Sequence, residues 1–380
     1  MTRIVLAHSG ALTTSVAIPW LAERYEAEVV VLTLDLGQGG ELTDVRERAL
    51  AAGAVRAHVL DAREELLRDY ATPALQAGAL SAGRGPLALG LGRALIAKRL
   101  VDVARMESAS AVAHGHARHG GPGTFPAEMP GTFSGPSVLD ESLRALDPAL
   151  TVIAPARLWG LSRAQQREYA RVRGVPISPD ADGTVRVDAN VWGRSLHAED
   201  VPDRFYTVTR AAAECPDEPA FLDIEFERGL PVRANGIEMP LLELIESLDI
   251  IAGAHGVGRI RLAASPEDRR ARTAFEAPSA VLLHAAHREL EAHTFSEDFN
   301  RVKQDLARKY ADLVDAGQWF SPTREAIDAF VRTAQPRISG SVRLKLFKGD
   351  CQVVDRHDGS PRAEQDASMR LDHAAEGLIS

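Results

Sequence analysis

The segment His8-Ser9-Gly10-Ala11-Leu12-Thr13-Thr14-Ser15 follows a short apolar run, RIVLA, and precedes a stretch of helical spacing. Small residues between a strand and a helix leave backbone N–H groups and a helix N-terminus aimed at one spot, which suits a phosphate. A plain strand-to-helix turn with a hydroxyl cap explains the same residues, and the loop alone does not separate the two. It is not a Walker A loop, because no Gly-Lys-Ser/Thr follows at the required spacing. Three histidines, His114, His116 and His119, lie in the Gly-rich stretch HGHARHGG. Neutral imidazoles ligate zinc, but no nearby carboxylate is spaced to orient these rings. A solvated or anion-facing loop is therefore expected, and no metal site. Gly90-Leu91-Gly92 lacks the third glycine and the preceding strand of a dinucleotide fingerprint, and it reads as the start of a helix. Arg269, Arg270 and Arg272 form a basic run that reads as a solvated helix face, with an anion contact the less favoured alternative.

These groups need elements to hold them. Residues 3–7, 28–36, 55–62, 109–114 and 150–154 read as strands, and helical stretches separate them. The first helix is expected over 15–26, with Pro19 tolerable only in its first turn. Ser162 is a good N-cap for the helix that follows it. Strands alternating with helices imply a parallel sheet, whose ligands sit outside the carboxyl ends of the strands. The loops at those ends are 8–15, 35–41, 115–136 and 155–160. After about residue 178 the character changes. LDIEFERGLPVRANG predicts a hairpin with Asn235-Gly236 at a turn, and PLLELIESLDIIAGAHG an amphipathic helix. Residues 278–334 read as mostly helical, with Pro322 opening a helix after Ser321, and a second hairpin turns at Lys348-Gly349-Asp350. The polar tail carries one short amphipathic stretch, LDHAAEGLI.

With 380 residues, 45% of them hydrophobic and 26% charged, the chain suits two folded domains and an appendage. Its net charge of -9 argues against general attraction to nucleic acid, whose affinity comes from neutralised phosphates. Aromatics are only 5%, too few for abundant base-stacking platforms. Cys215 and Cys351 are the only cysteines, so no disulfide framework is readable. No apolar stretch is long enough for a membrane span, and MTRIVLAHSG does not read as a signal peptide. A cytoplasmic protein with no membrane partner is expected.

RIVLAHSGALTTS, LDLGQGGEL, LRDYATPALQAGAL, RALIAKRLVDVA, VDANVWGRS, CPDEPAFLDIEFERGLPV, IAGAHGVGRI and LLHAAHRELE together resemble the argininosuccinate synthase family over nearly the full chain. The resemblance implies an α/β fold: an N-terminal parallel-sheet nucleotide-binding domain of the adenine nucleotide alpha hydrolase type, then a second α+β synthetase-like domain and a C-terminal oligomerisation tail. Residues 1–165, 166–355 and 356–380 are the corresponding divisions. It further implies ATP, with Mg, as the energy source, small-molecule substrates, and a homo-oligomer, tetramer or dimer. The family adenylates the ureido oxygen of citrulline, releases pyrophosphate, and lets the aspartate amine displace AMP. Carried over to this chain, the nucleotide contacts are Ser9, Gly10, Thr14, Ser15, Leu34 and Gly115, and the substrate contacts are Gln38, Arg93, Ser195 and Phe275.

The polar site departs from the family's pattern. His8 stands at a Tyr, Ala11 at the second Gly and Thr13 at an Asp of the phosphate loop. A methyl at Ala11 is expected to obstruct the loop if that position needs positive φ. Gly85 and Gly90 replace citrulline-contacting Tyr and Ser, Phe125 an Arg, Arg186 a Ser, Ala264 a Glu and Phe275 a Tyr. Each lost hydrogen-bonding group costs about 1–3 kcal/mol, so binding of citrulline and aspartate is expected to be lost. Two functions then compete. One is a ligase on the same scaffold whose acceptor pocket, widened at Gly85 and Gly90 and lined by Phe125 and Phe275, takes a bulkier or less polar substrate. His8, His116, His119 and Arg186 are its candidate catalytic groups, and Arg118 is a further new cation. The other is a catalytically inactive paralogue kept for binding or assembly. New histidines and arginines gathered on one strand-end loop favour the ligase.

Overall fold

The computed structural model describes residues 2–40, 42–116, 137–177, 185–198, 201–263 and 272–358. In the N-terminal half, five strands form one parallel sheet: β1 (Thr2–Ala7), β2 (Ala27–Asp35), β3 (Arg56–Asp61), β4 (Ala111–His114) and β5 (Thr151–Ile153). Their order is β3-β2-β1-β4-β5. The period-two alternation of RIVLA decides which side each residue serves. Ile4 and Leu6 join the core beneath α1 (Leu12–Tyr25), α2 (Leu42–Ala51) and, past the sheet, α8 (Arg163–Arg173), whereas Val5 faces the opposite core. That second core takes in α3 (Arg63–Leu66), α4 (Thr72–Ala77), α5 (Ala88–Met106) and α6 (Val138–Leu146). The short α7 (Pro155–Leu158) follows β5.

One local reading is corrected. α1 begins at Leu12, so Pro19 lies inside the helix and not in its first turn. Proline cannot donate to the carbonyl four residues back, yet the helix continues because Val16, Ala17, Ile18 and Leu21 are buried along it. The stretch 63–77 is not one regular helix. A π-turn over Leu67–Ala71 separates α3 from α4, and within it Tyr70 stacks on Trp319 at 4.9 Å between ring centroids. Ser162 does cap α8, through a reciprocal capping box with Gln165.

The C-terminal half carries two antiparallel sheets. One runs β10-β9-β8-β13-β14, built from β8 (Ala220–Glu227), β9 (Leu230–Ala234), β10 (Ile237–Glu238), β13 (Gly340–Phe347) and β14 (Asp350–Asp358). Asn235 and Gly236, both at positive φ, turn β9 into β10, and Arg228-Gly229 makes the β8–β9 turn. The other sheet was not legible in the sequence: β11 (Arg259–Ala263), β12 (Arg272–Glu276), β7 (Gly193–Ala198) and β6 (Arg186–Asn190), in that order. Its β12 end is fixed by the buried Glu276 carboxylate, which accepts the backbone N–H groups of Thr207, Val208 and Thr209. Helices α9 (Leu241–Ala254), α10 (Pro278–Thr294), α11 (Glu297–Asp315) and α12 (Pro322–Ala334) complete the half, the last capped by Ser321. Leu222, Ile224, Phe226, Val342 and Leu344 belong to the same continuous core as Val5 and α5, so the two halves share an interior. No described helix is long and apolar enough to cross a membrane. The tail over 359–380 lies outside the described residues.

Candidate active site

The strand order reverses between β1 and β4, which is where a doubly wound sheet opens a ligand crevice. Ala7 and His114 are register partners there, so the chain leaves β1 at His8 and β4 at Gly115 side by side. His8 stays strand-like: its N–H donates to the Leu32 carbonyl, and the Thr33 hydroxyl donates to its own carbonyl. Gly10 then turns the chain at φ +76, with Val45 and Arg48 crowding the place where a side chain would go. Ala11 has φ -74, an ordinary extended backbone, so its methyl costs the loop nothing and the expected obstruction is absent. The N-terminus of α1 carries neither a side-chain cap nor an acidic residue in its first turn. Its free N–H groups and dipole favour an anion.

The loop's hydroxyls are placed by one another. The Thr14 hydroxyl donates to the Ala11 carbonyl at 3.0 Å, and Ser9 Oγ lies 3.3 Å from Thr14 Oγ1. Thr13 donates to Gln166 at 3.0 Å, tying α1 to α8. The His8 ring is buried, with Nε2 3.4 Å from the Ser15 hydroxyl and Nδ1 without a partner. Burial, and then the charge of Arg48, push its pKa down to about 4. At neutral pH it is therefore a neutral imidazole that resists protonation and offers its neighbours hydrogen bonds without a charge. Leu34 and Gln38 sit at the end of β2. The Gln38 amide accepts from the Leu36 N–H and donates to the Leu34 carbonyl, both at 2.7 Å, so it is spent on shaping its own loop.

At the end of β4 the absence of an orienting carboxylate is overturned. Asp140, on α6, lies 2.9 Å from His114 Nε2, and its other oxygen is 2.8 Å from Arg157 of α7. The His116 N–H donates to His114 Nδ1, which places the ring proton on Nε2, facing Asp140. Burial pushes the Asp140 carboxyl up, but the His114 and Ser137 bonds outweigh it and hold it well below the usual carboxylate range. Both nitrogens of His114 are thus engaged, which removes it from the three-histidine zinc set. Among the described residues no cluster of three metal-ligating groups occurs. His116 keeps an unpartnered, buried Nδ1, and burial and then the Arg93 charge push its pKa far down. A β-carbon on Gly115 would come 2.6 Å from the Thr14 methyl, so only glycine lets β4 approach the phosphate loop this closely. His119, Arg118 and Phe125 lie outside the described residues, as do Ala264, Arg269 and Arg270.

The third wall is the sheet that the sequence did not reveal. Asp188, Ser195 and Phe275 are register partners across β6, β7 and β12, so they share one face. Arg186, two residues from Asp188, pairs with it at 3.1 Å on the same face. Asn190 anchors this face to α5 by donating to the Ala88 carbonyl at 2.7 Å. Arg93, one turn along α5, has a buried, unpartnered Nε. Burial lowers its pKa to about 10 while Asp188 opposes the shift. Neither glycine widens this wall. The Phe275 ring occupies the space beside Gly85, at 3.2 Å from a notional β-carbon, and Gly90 lets Val314 of α11 approach to 2.7 Å. Gly90-Leu91-Gly92 lies in the opening turns of α5. Thr14, Gly115, His116, Arg93 and the Arg186–Asp188 pair therefore lie in a run from the loop after β1 to the face of the β6–β7–β12 sheet.

Residues 3–176 match the family described as Arginosuccinate synthase N-terminal HUP domain, and residues 185–376 the Arginosuccinate synthase C-terminal domain. The chain is similar to the argininosuccinate synthase of Rubrobacter xylanophilus, 44% identical over 373 residues that cover 95% of this chain and 86% of that protein. It is also similar to the argininosuccinate synthase of Synechococcus elongatus, 40% identical over 395 aligned positions covering 99% and 95% respectively.

Proposed function

The chain belongs to the argininosuccinate synthase family, and on that premise we propose that it is an ATP-dependent carbon–nitrogen ligase acting on an acceptor other than citrulline. The acceptor's carbonyl oxygen attacks the α-phosphorus, the bond to pyrophosphate breaks, and an adenylated acceptor forms. The lone pair of an amine then attacks the activated carbon, AMP departs with the bonding electrons of the carbon–oxygen bond, and the nitrogen loses a proton. The uncapped start of α1 and the Ser9–Ser15 loop support the nucleotide half of this reading. With Thr13 in place of an acidic residue, this loop offers Mg no carboxylate, and the ion enters with the nucleotide's own phosphates.

The observation that carries the acceptor half is the wall made by Phe275 and Gly85. An aromatic ring fills the space there, with no phenol hydroxyl at either position, and the nearby polar groups are Arg93, Arg186 and Asp188. Such a wall suits an acceptor with an apolar portion against Phe275 and a charged group beside Arg93. Calorimetric titration with ATP, followed by AMP release with a panel of ureido and amide acceptors, tests both halves. Expected are saturable ATP binding and AMP release with an aryl- or alkyl-substituted acceptor above that with citrulline. No heat with millimolar ATP would sink the ligase, and ordinary turnover of citrulline with aspartate would sink the altered acceptor.

A further inference from the structure

Arg48, on α2, stands beside the phosphate loop, and among the described residues no carboxylate pairs with it. Its Nη2 lies 3.5 Å from the point that a β-carbon would occupy on Gly10, and its Nε is buried without a partner. His8 lies in the same neighbourhood, 4% exposed, with Nδ1 equally unpartnered. After burial, the charge of Arg48 pushes the His8 pKa down, as a cation close to the ring does. Two buried nitrogens left without partners, one of them on a half-buried cation, are costly unless something supplies the missing acceptor. Both flank the loop that leads into the uncapped N-terminus of α1, and a polyphosphate satisfies all three at once. An anion is the ligand that such a set recognises, and a guanidinium fork suits phosphate oxygens better than a point charge.

We propose that Arg48, with His8 beside it, forms a second wall of the phosphate site that holds the diphosphate end of the nucleotide, the part that leaves as pyrophosphate. This rests on the ligase reading above. During adenylation, negative charge builds on the departing oxygens, and a fixed guanidinium there stabilises the transition state more than the ground state. The pair then acts on leaving-group departure and not on recognition of the adenosine.

The test uses inorganic pyrophosphate and AMP as separate probes of the full-length protein, by calorimetry, with Arg48→Ala, Arg48→Lys and His8→Gln. Arg48→Ala should weaken pyrophosphate at least tenfold and leave AMP within twofold, while Arg48→Lys recovers part of the loss. His8→Gln, which keeps an acceptor and a donor, should weaken pyrophosphate less than Arg48→Ala does. In turnover, Arg48→Ala should lower kcat more than it raises KM for ATP. Unchanged pyrophosphate affinity in Arg48→Ala, with ATP still bound by the unaltered protein, overturns the inference alone. Equal losses for AMP and pyrophosphate overturn it too, because they mark a disturbed loop. If the unaltered protein binds neither ATP nor pyrophosphate, the ligase reading falls and takes this inference with it.

Discussion

The Phe275 ring lies against Gly85, with its Cε2 and Cζ 3.2 and 3.3 Å from the place of a β-carbon there. The ring thus takes the space beside the glycine, so the wall is filled instead of opened. Gly85→Tyr alone should destabilise the protein by about 1–3 kcal/mol through overpacking. Phe275→Ala alone should cost about 3–5 kcal/mol, since the ring is buried. Combined, the two should cost less than their sum by about 0.5–3 kcal/mol. Urea denaturation of the four proteins measures this, and strict additivity would show that the ring does not occupy the space of the absent side chain.

Gly115 and Thr14 provide a functional counterpart. Gly115→Ala drives a methyl into the Thr14 methyl, 2.6 Å away, and so displaces the hydroxyl that bonds Ala11 and lies beside Ser9. ATP affinity should drop roughly tenfold, a loss of about 1.4 kcal/mol. Thr14→Ser added to Gly115→Ala removes the offending methyl and keeps the hydroxyl, so affinity should return most of the way. Calorimetry with ATP reads both variants. A double variant no better than Gly115→Ala would show that the clash lies elsewhere.

These contacts also show what the sequence could and could not convey. The strands of the first sheet were legible because RIVLA and EVVVLTLDL are apolar on both faces, as buried parallel strands must be. Strand β6 was not, because Arg186, Asp188 and Asn190 occupy one face and leave only Val187 and Ala189 as apolar residues, too few to stand out as a strand. Asp140 was missed for a different reason. It stands 26 residues beyond His114 in the chain, and only the folding of α6 back onto β4 brings them together. Its one local signal was Ser137-x-x-Asp140, a capping pattern that marks a helix start and says nothing of the histidine. The role of Ala11 was misjudged because glycine's two uses, positive φ and small size, look alike in a sequence. Here the positive φ belongs to Gly10.

Acid should destabilise the protein well before its carboxylates titrate. Burial holds His8 at about 4, with Arg48 adding to the shift, and holds His284 and His287 at about 3, with Lys303 contributing to both. An unfolded histidine takes up its proton near pH 6.5. The unfolded chain therefore binds more protons than the folded one between about 6.5 and these lower values. Stability is fully present above pH 6.5 and is lost as pH falls from there through about 4 and 3. Each histidine contributes on the order of 3–5 kcal/mol to this dependence. Thermal midpoints at pH 7.5, 6, 5 and 4.5 should decline progressively, and His284→Gln should flatten the curve. A midpoint constant from pH 7.5 to 4.5 would contradict the burial of these rings.

Asp140 joins three elements, because it holds His114 at the end of β4, Arg157 after β5 and the N-cap of its own helix through Ser137. Its carboxylate is 3% exposed and Arg157 is 19% exposed, so each neutralises a charge that has largely left water. Removing one member of such a pair strands the other. Asp140→Ala should cost about 3–5 kcal/mol at pH 7. Arg157→Met should cost less, because His114 and the Ser137 N–H still face the carboxylate. Asp140→Asn with Arg157→Met should recover at least about 1 kcal/mol relative to the summed single losses, since neither charge is then left alone. The His114 imidazole offers a second readout. Its Nε2 proton, fixed by Asp140, should give a slowly exchanging nitrogen-attached signal in the unaltered protein and lose it in Asp140→Ala. A signal that persists in Asp140→Ala, together with additive stabilities, would mean that the backbone alone sets the ring and that the carboxylate does not clamp the crevice.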